Sequence, residues 1–222
     1  MPAQAPAGAI AASATHFVVV IDAGHQAHGN YHHESIAPGS KRVRDKVAGG
    51  TTGIVTHVAE SKVNLEVALR LREALTAAGV DVVMVRTTQN VNIPNSVRAK
   101  IANKAGADLF VRVHCDGAAK SVHGILMLVP AHNSWTGKIH AASERAGRAV
   151  LAAAVSATGA RDRGISLRHD LSGFNWSHVP SICIEMGNMK NAAEDRLLSG
   201  VAYQKKMVAG MVEGILAFLK AK

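Results

Sequence analysis

The chain predicts an α/β fold: one domain on a mostly parallel, twisted central sheet of about six strands, flanked by helices on both faces. Short runs such as VVVI (18–21), LFVRVH (109–114), GILMLV (124–129) and SICIE (181–185) are apolar on nearly every residue, as strands covered on both faces must be. Between them lie longer stretches with apolar residues every three or four positions, the helical period. His25, His114 and Glu185 each stand at or just past a strand end beside a glycine-containing turn, where open α/β sheets hold ligands. A chain of 222 residues, 48% of them hydrophobic, suffices for one well-buried core.

Residues 1–14 are rich in Ala and Pro, without charge or helical periodicity. They read as a disordered linker or a trimmed end, and they lack the basic and long apolar regions of a signal peptide. After the first strand (18–21), residues 26–57 read as a long polar loop, which in a compact domain is usually functional. Its His28, His32, His33 and His57 match no ligand spacing and read as solvated. Lys41, Arg42, Arg44 and Lys46 read as a solvated basic face, with contact to an anionic substrate group as the other reading.

Glu60 opens a helix over 60–79, with Val63, Val67, Leu71 and Leu75 on one stripe. Ser61 reads as its N-cap and Gly79 as its stop. Residues 80–86 read as a second strand, 87–94 as a loop and 95–105 as a short helix. The strands at 109–114 and 124–129 follow, the latter stopped by Pro130. An alanine-rich helix spans 134–158 and closes at Gly159. Residues 165–168 read as a short strand, 171–179 as a loop carrying Phe174 and Trp176, and 181–185 as a strand ending on Glu185. A helical turn at 191–199 and an amphipathic helix at 201–222 complete the chain.

The net charge of +9 favours an anionic partner: nucleic acid, a membrane surface or a wall polymer. No classical nucleic-acid motif is present, and aromatic residues that could stack on bases are few. No apolar run approaches the ~20 residues of a membrane span. Cys115 and Cys183 form no disulfide framework or metal knuckle and read as buried thiols in strands.

In a largely parallel sheet, His25, His114 and Glu185 would gather at one rim, and Glu60 begins a helix that returns past it. Two histidines and a carboxylate are a standard ligand set for catalytic zinc, with a position left for water. A further carboxylate nearby is what metal-assisted hydrolysis needs to move protons.

The order DAGH, then E-x-x-x-x-L-x-x-A opening a helix, then ADLFVRVHCD, then PSICIEMGNMKN resembles the zinc-dependent N-acetylmuramoyl-L-alanine amidases, the amidase-3 type of peptidoglycan amidase. The resemblance runs from about Phe17 to Leu219. It implies that residues 15–222 are a catalytic domain with His25, Glu60 and His114 as Zn2+ ligands and Glu185 as the catalytic acid/base. The implied reaction is hydrolysis of the amide between the lactyl group of N-acetylmuramic acid and L-alanine of the stem peptide. The implied setting is extracytoplasmic, secreted or wall-associated, as for an autolysin, with peptidoglycan as partner and a monomeric chain.

Arg168, Asn188 and Trp176 are candidate substrate contacts. Arginine suits bidentate contact with a stem-peptide carboxylate. Asn188 could instead cap the next turn, and Trp176 could simply pack.

The chain departs from the family pattern at Arg112 and Glu66, where small or apolar residues are usual, and at Cys115, which replaces an alanine. Arg112 lies on the same side of its strand as His114, and a buried arginine needs a partner. An Arg112–Glu66 pair across the helix–sheet interface is the expectation. The stretch 134–158 reads as one continuous element, without an insertion to form an inhibitory helix, so an open site is expected. Two other readings keep the scaffold but change the activity: a zinc hydrolase for a different bond, and a non-catalytic wall-binding protein.

Overall fold

Alternate residues of the central strands go to opposite sides, and this division organises the structure. The computed structural model describes residues 16–221; the linker expected at 1–14 lies outside them. The elements are β1 (Val18–Ala23), β2 (Asn30–Ser35), β3 (Val43–Val47), α1 (Glu60–Ala77), β4 (Asp81–Met84), α2 (Asn95–Lys104), β5 (Leu109–Asp116), β6 (Ile125–Pro130), α3 (Gly137–Thr158), β7 (Asp162–Arg168), α4 (Ser172–Asn175), β8 (Ser181–Asn188), α5 (Ala192–Leu198) and α6 (Val201–Lys220).

Six strands form one sheet in the order β4-β1-β5-β8-β6-β7. All neighbours are parallel except β6 and β8, which are antiparallel. The connection from β5 to β6 is residues 117–124. It is too short for the crossover of a dozen or more residues that a parallel return requires, so β6 comes back in the opposite direction.

On one face, Val19, Ile21, Leu109, Val111, Val113, Ile182 and Ile184 meet the apolar stripes of α1, α3 and α6 in the main core. Leu71 and Leu75 of α1 are fully buried there, each stabilising by about 1.5–3 kcal/mol relative to exposure. On the other face, Val20 and Phe110 pack with Ala99 and Ala102 of α2, and Cys183 packs with Leu128 and Phe174. Helices therefore cover both faces, as expected.

Four expectations need correction. The stretch 26–57 contains an antiparallel hairpin, β2–β3, whose turn carries Pro38 and Gly39. The stretch 171–179 contains the single turn α4. Ser61 lies inside α1, whose N-cap is Ala59 without a side-chain cap; Thr51 and Glu60 instead tie the chain together there, through Thr51 N–H donating to Glu60 Oε2 at 2.9 Å.

The fourth is the Arg112–Glu66 pair, which does not form. Glu66 lies on α1, on the Val111 side of the sheet, where its carboxylate accepts from Gln204. Arg112 projects to the opposite side and meets Asp22, its register partner on β1. Cys115 faces the main core, away from His114, and burial pushes its thiol well above the usual range.

Candidate metal centre

β1 ends at Ala23, and Gly24 continues the ladder by donating to Val113 O at 2.9 Å. A Cβ at Gly24 would lie 2.3 Å from the His114 ring, so only glycine lets the two chains approach this closely. His25 follows at φ 59, a left-handed conformation unusual for a non-glycine residue and typical of functional sites. Its carbonyl accepts from Arg98 Nη2 at 3.0 Å, which holds the turn. Its ring Nδ1 lies 2.7 Å from Ala48 O. That contact places the proton on Nδ1 and leaves Nε2 to face the site.

Glu60 enters from the start of α1 and is 3% exposed. Its Oε1 lies 3.1 Å from His25 Nε2 and 3.1 Å from His114 Nδ1. Asn64 Nδ2 and the Cys115 N–H also donate to Oε1, each at 3.1 Å. Burial would raise the Glu60 pKa, but hydrogen bonds from His114 and His25 outweigh it and hold the carboxyl well below its usual range. Burial lowers the His114 pKa to about 4 against the opposing pull of Glu60, so this imidazole is neutral with an available lone pair. At His25 burial also opposes charge, but Glu60 prevails and raises the pKa.

His25, Glu60 and His114 thus offer ligand atoms within 4.8 Å of one another. Atoms bound tetrahedrally at ~2.1 Å to one ion stand roughly 3.4 Å apart, close to the 3.1 Å found on either side of Glu60 Oε1. Two imidazoles and a carboxylate with no basic side chain among them also match the donor chemistry of zinc. The residues present fit such an ion.

Glu185 is the register partner of His114 across β5 and β8. Its Oε2 is buried without a hydrogen-bond partner. Burial, reinforced by the charges of Glu60 and Asp116, pushes its carboxyl up to about 8. A carboxyl titrating near neutrality is suited to both accepting and returning a proton.

His25, His114 and Glu185 line a cleft of about 540 Å³, walled by Val43, Arg44 and Ala48 from the hairpin side and Leu171–Gly173 from the α4 side. His25 and His114 keep 15% and 14% side-chain exposure, so the centre is reachable from solvent. α3 runs as one continuous helix of 22 residues.

Arg168 lines the same cleft, with Nε and Nη2 donating to the two carboxylate oxygens of Asp170 at 2.9 and 2.8 Å. Asn188 and Trp176 stand outside the cleft lining. The Asn188 amide is buried and donates to Ala119 O and Val122 O, each at 2.9 Å, fastening the β5–β6 connection. Trp176 Nε1 donates to Ser35 O at 2.9 Å, and Lys100 sits over its ring at 4.4 Å. His33 borders the cleft, 3.7 Å from Asp45, and the His25, Glu60 and His114 group is the one such metal-binding set found among the described residues.

Sequence reasoning missed the support beneath the centre. Asp22 is fully buried between Arg98 Nη1 at 2.6 Å and Arg112 Nε at 2.9 Å. A charged residue closing an otherwise apolar strand run was the signal for it. The hairpin wall was missed too, and the Pro38-Gly39 dipeptide was its signal.

A family model described as N-acetylmuramoyl-L-alanine amidase matches residues 19–217. The chain is 29% identical to N-acetylmuramoyl-L-alanine amidase Rv3717 of Mycobacterium tuberculosis, over 98% of this chain and 92% of that protein. The crystal structure of the N-acetylmuramyl-L-alanine amidase Ami1 of Mycobacterium smegmatis superposes with a TM-score of 0.84 at 25% identity, covering 93% of this chain and 98% of that one. Ami1 of Mycobacterium abscessus gives 0.82 at 26% identity, covering 91% and 98%.

Proposed function

We propose, from the premise that the chain belongs to the N-acetylmuramoyl-L-alanine amidase family, that it hydrolyses the amide joining the lactyl group of N-acetylmuramic acid to L-alanine in peptidoglycan. The observation that carries this reading is the meeting of His25 and His114 on Glu60 Oε1 beside a buried Glu185 oxygen without a partner.

His25 through Nε2, His114 through Nδ1 and Glu60 through Oε1 would hold zinc. When bound there, zinc supplies a Lewis acid and makes water nucleophilic near neutral pH. Ala48 O keeps the His25 proton on Nδ1, and burial keeps His114 neutral. Glu185 takes a proton from the attacking water and delivers it to the departing amine of L-alanine. The hairpin and α4 walls orient the substrate, with Arg168 held by Asp170 on one side. A basic chain suits a wall carrying acidic polymers, and the substrate places the enzyme outside the cytoplasm.

Mass analysis of digested wall tests the reaction. The expected products are free lactyl ends on muramic acid and new L-alanine amines. Cleavage at any other bond overturns the assignment.

A further inference from the structure

Two arginines share the buried Asp22 carboxylate, and their donors are used differently. Arg98 is fully buried. Its donors go to Asp22, Ile93 O, Ala23 O, His25 O and Gln26 Oε1. Arg112 Nε donates to Asp22 Oδ2 at 2.9 Å, and Nη2 to Asn95 Oδ1 at 2.6 Å. Its Nη1 donates to no described residue and is not among the fully buried unpartnered atoms. Arg112 lines the cleft. Asp22 is the one carboxylate hydrogen-bonded to either guanidinium among the described residues, and Arg112 presents its charge to the cleft through Nη1, where an anion can meet it.

The placement of that charge is specific. Gly173 of α4 faces Nη1 so closely that a Cβ there would lie 2.2 Å from it. Asn95 steadies Nη2 while its own amide donates to Lys46 O of the hairpin at 2.8 Å. Arg168, by contrast, already has both oxygens of Asp170. Arg112 stands two residues before His114 on the same side of β5, roughly 6.6 Å along the strand. That is the reach of one to two residues of extended peptide.

We propose that Arg112 Nη1 binds a carboxylate on the stem peptide, one to two residues beyond the scissile amide, and so makes the enzyme prefer the free acid over the amidated peptide. This rests on the amidase reading, in which the peptide side of the substrate is where carboxylates occur. A guanidinium held on two edges is preorganised for such a contact.

The test compares zinc-loaded enzyme on N-acetylmuramoyl-L-alanyl-D-glutamate γ-methylamide, whose α-carboxylate is its one free acid, and on the corresponding α-amide. The acid should be favoured in kcat/KM on the order of tenfold or more, mainly through KM, as a charged hydrogen bond implies. In Arg112→Met the ratio of the two substrates should fall toward one, and Arg112→Lys should restore part of it. Gly173→Ala, which crowds Nη1 without changing charge, should also lower the ratio and serves if Arg112→Met fails to fold. Calorimetry with zinc-loaded Glu185→Ala and the products L-alanyl-D-glutamate γ-methylamide and its α-amide reads the same preference without turnover. Equal kcat/KM for both substrates in the unaltered enzyme, or a ratio unmoved by both Arg112→Met and Gly173→Ala, overturns the proposal. Cleavage of neither substrate overturns the amidase reading instead, and the calorimetric preference then still decides the role of Arg112.

Discussion

Two buried ionic clusters lie side by side at the ends of β1 and β5, and they are built to opposite rules. In the Asp22–Arg98–Arg112 cluster opposite charges face each other at 2.6 and 2.9 Å, and carbonyls take most of the remaining donors. In the His25–Glu60–His114–Glu185 cluster, acceptors crowd together and Glu185 Oε2 and His114 Nε2 have no partner. The first is satisfied by the protein everywhere but at Arg112 Nη1, and it holds the β1–β5 rim in shape. The second contains no lysine or arginine and leaves two buried polar atoms without a partner. A buried polar group left incomplete in a folded protein calls for an explanation in terms of function.

The largest expected effects separate the two. His114→Ala should lose metal and hydrolysis together, measured by metal content and by product release. Glu185→Ala should keep the metal and lose hydrolysis by roughly 10²–10⁴-fold, the usual worth of a general acid/base. If Glu185→Ala still released stem peptide at the normal rate, its assigned role would fall.

Asp22→Ala comes next. It leaves two buried guanidiniums facing no carboxylate, so the loss should be about 3–5 kcal/mol in denaturant unfolding. A loss below about 1 kcal/mol would show that the carbonyl contacts alone suffice. Burial opposes charge on Asp22, but Arg98 and Arg112 outweigh it and hold its pKa far below the usual value. Its contribution is therefore complete above the ordinary carboxylate range and declines as pH falls through that range and below. Asp22→Asn should flatten this acid dependence.

Glu185 has the opposite sign. Its folded pKa is raised from 4.5 to about 8 by burial first and by Glu60 next. In metal-free protein the native state then holds a proton that the unfolded state has released, so stability falls as pH rises from about 4.5 to about 8. Glu185→Gln should be the more stable form, by a margin that grows across that window, and thermal unfolding at several pH values checks it. A margin constant with pH would exclude the raised pKa. The smallest effect is expected at the exposed Arg148–Glu144 pair on α3. Glu144→Gln should change stability by less than about 1 kcal/mol, which sets the scale against which the buried clusters are judged.

Much of the architecture was legible in order. Short runs without a polar face, bounded by glycine or proline turns, read as strands covered on both sides, and the longer periodic stretches between them as helices packed on a sheet. His25, His114 and Glu185 stood out because each follows or ends such a run. The turn of the β2–β3 hairpin was marked by Pro38-Gly39, but its strands were not legible, since NYHHES and VRDKV show no apolar alternation and the pair lies off the main sheet. Arg112 was read as needing a partner, and it has one, but the partner chosen was Glu66 on the wrong face. Strand alternation gives a side chain's side and says nothing about which strand lies next to it.

Local patterning in the chain was enough to establish the α/β class, the strand and helix order, and the residue types available for chemistry, because burial and backbone period act over a few residues at a time. Which groups meet was decided by the sheet order β4-β1-β5-β8-β6-β7. That order sets Asp22 beside Arg112 and His114 beside Glu185, and brings Glu60 in over the rim. These contacts join residues 54 to 90 positions apart, and no short-range preference in the chain specifies them.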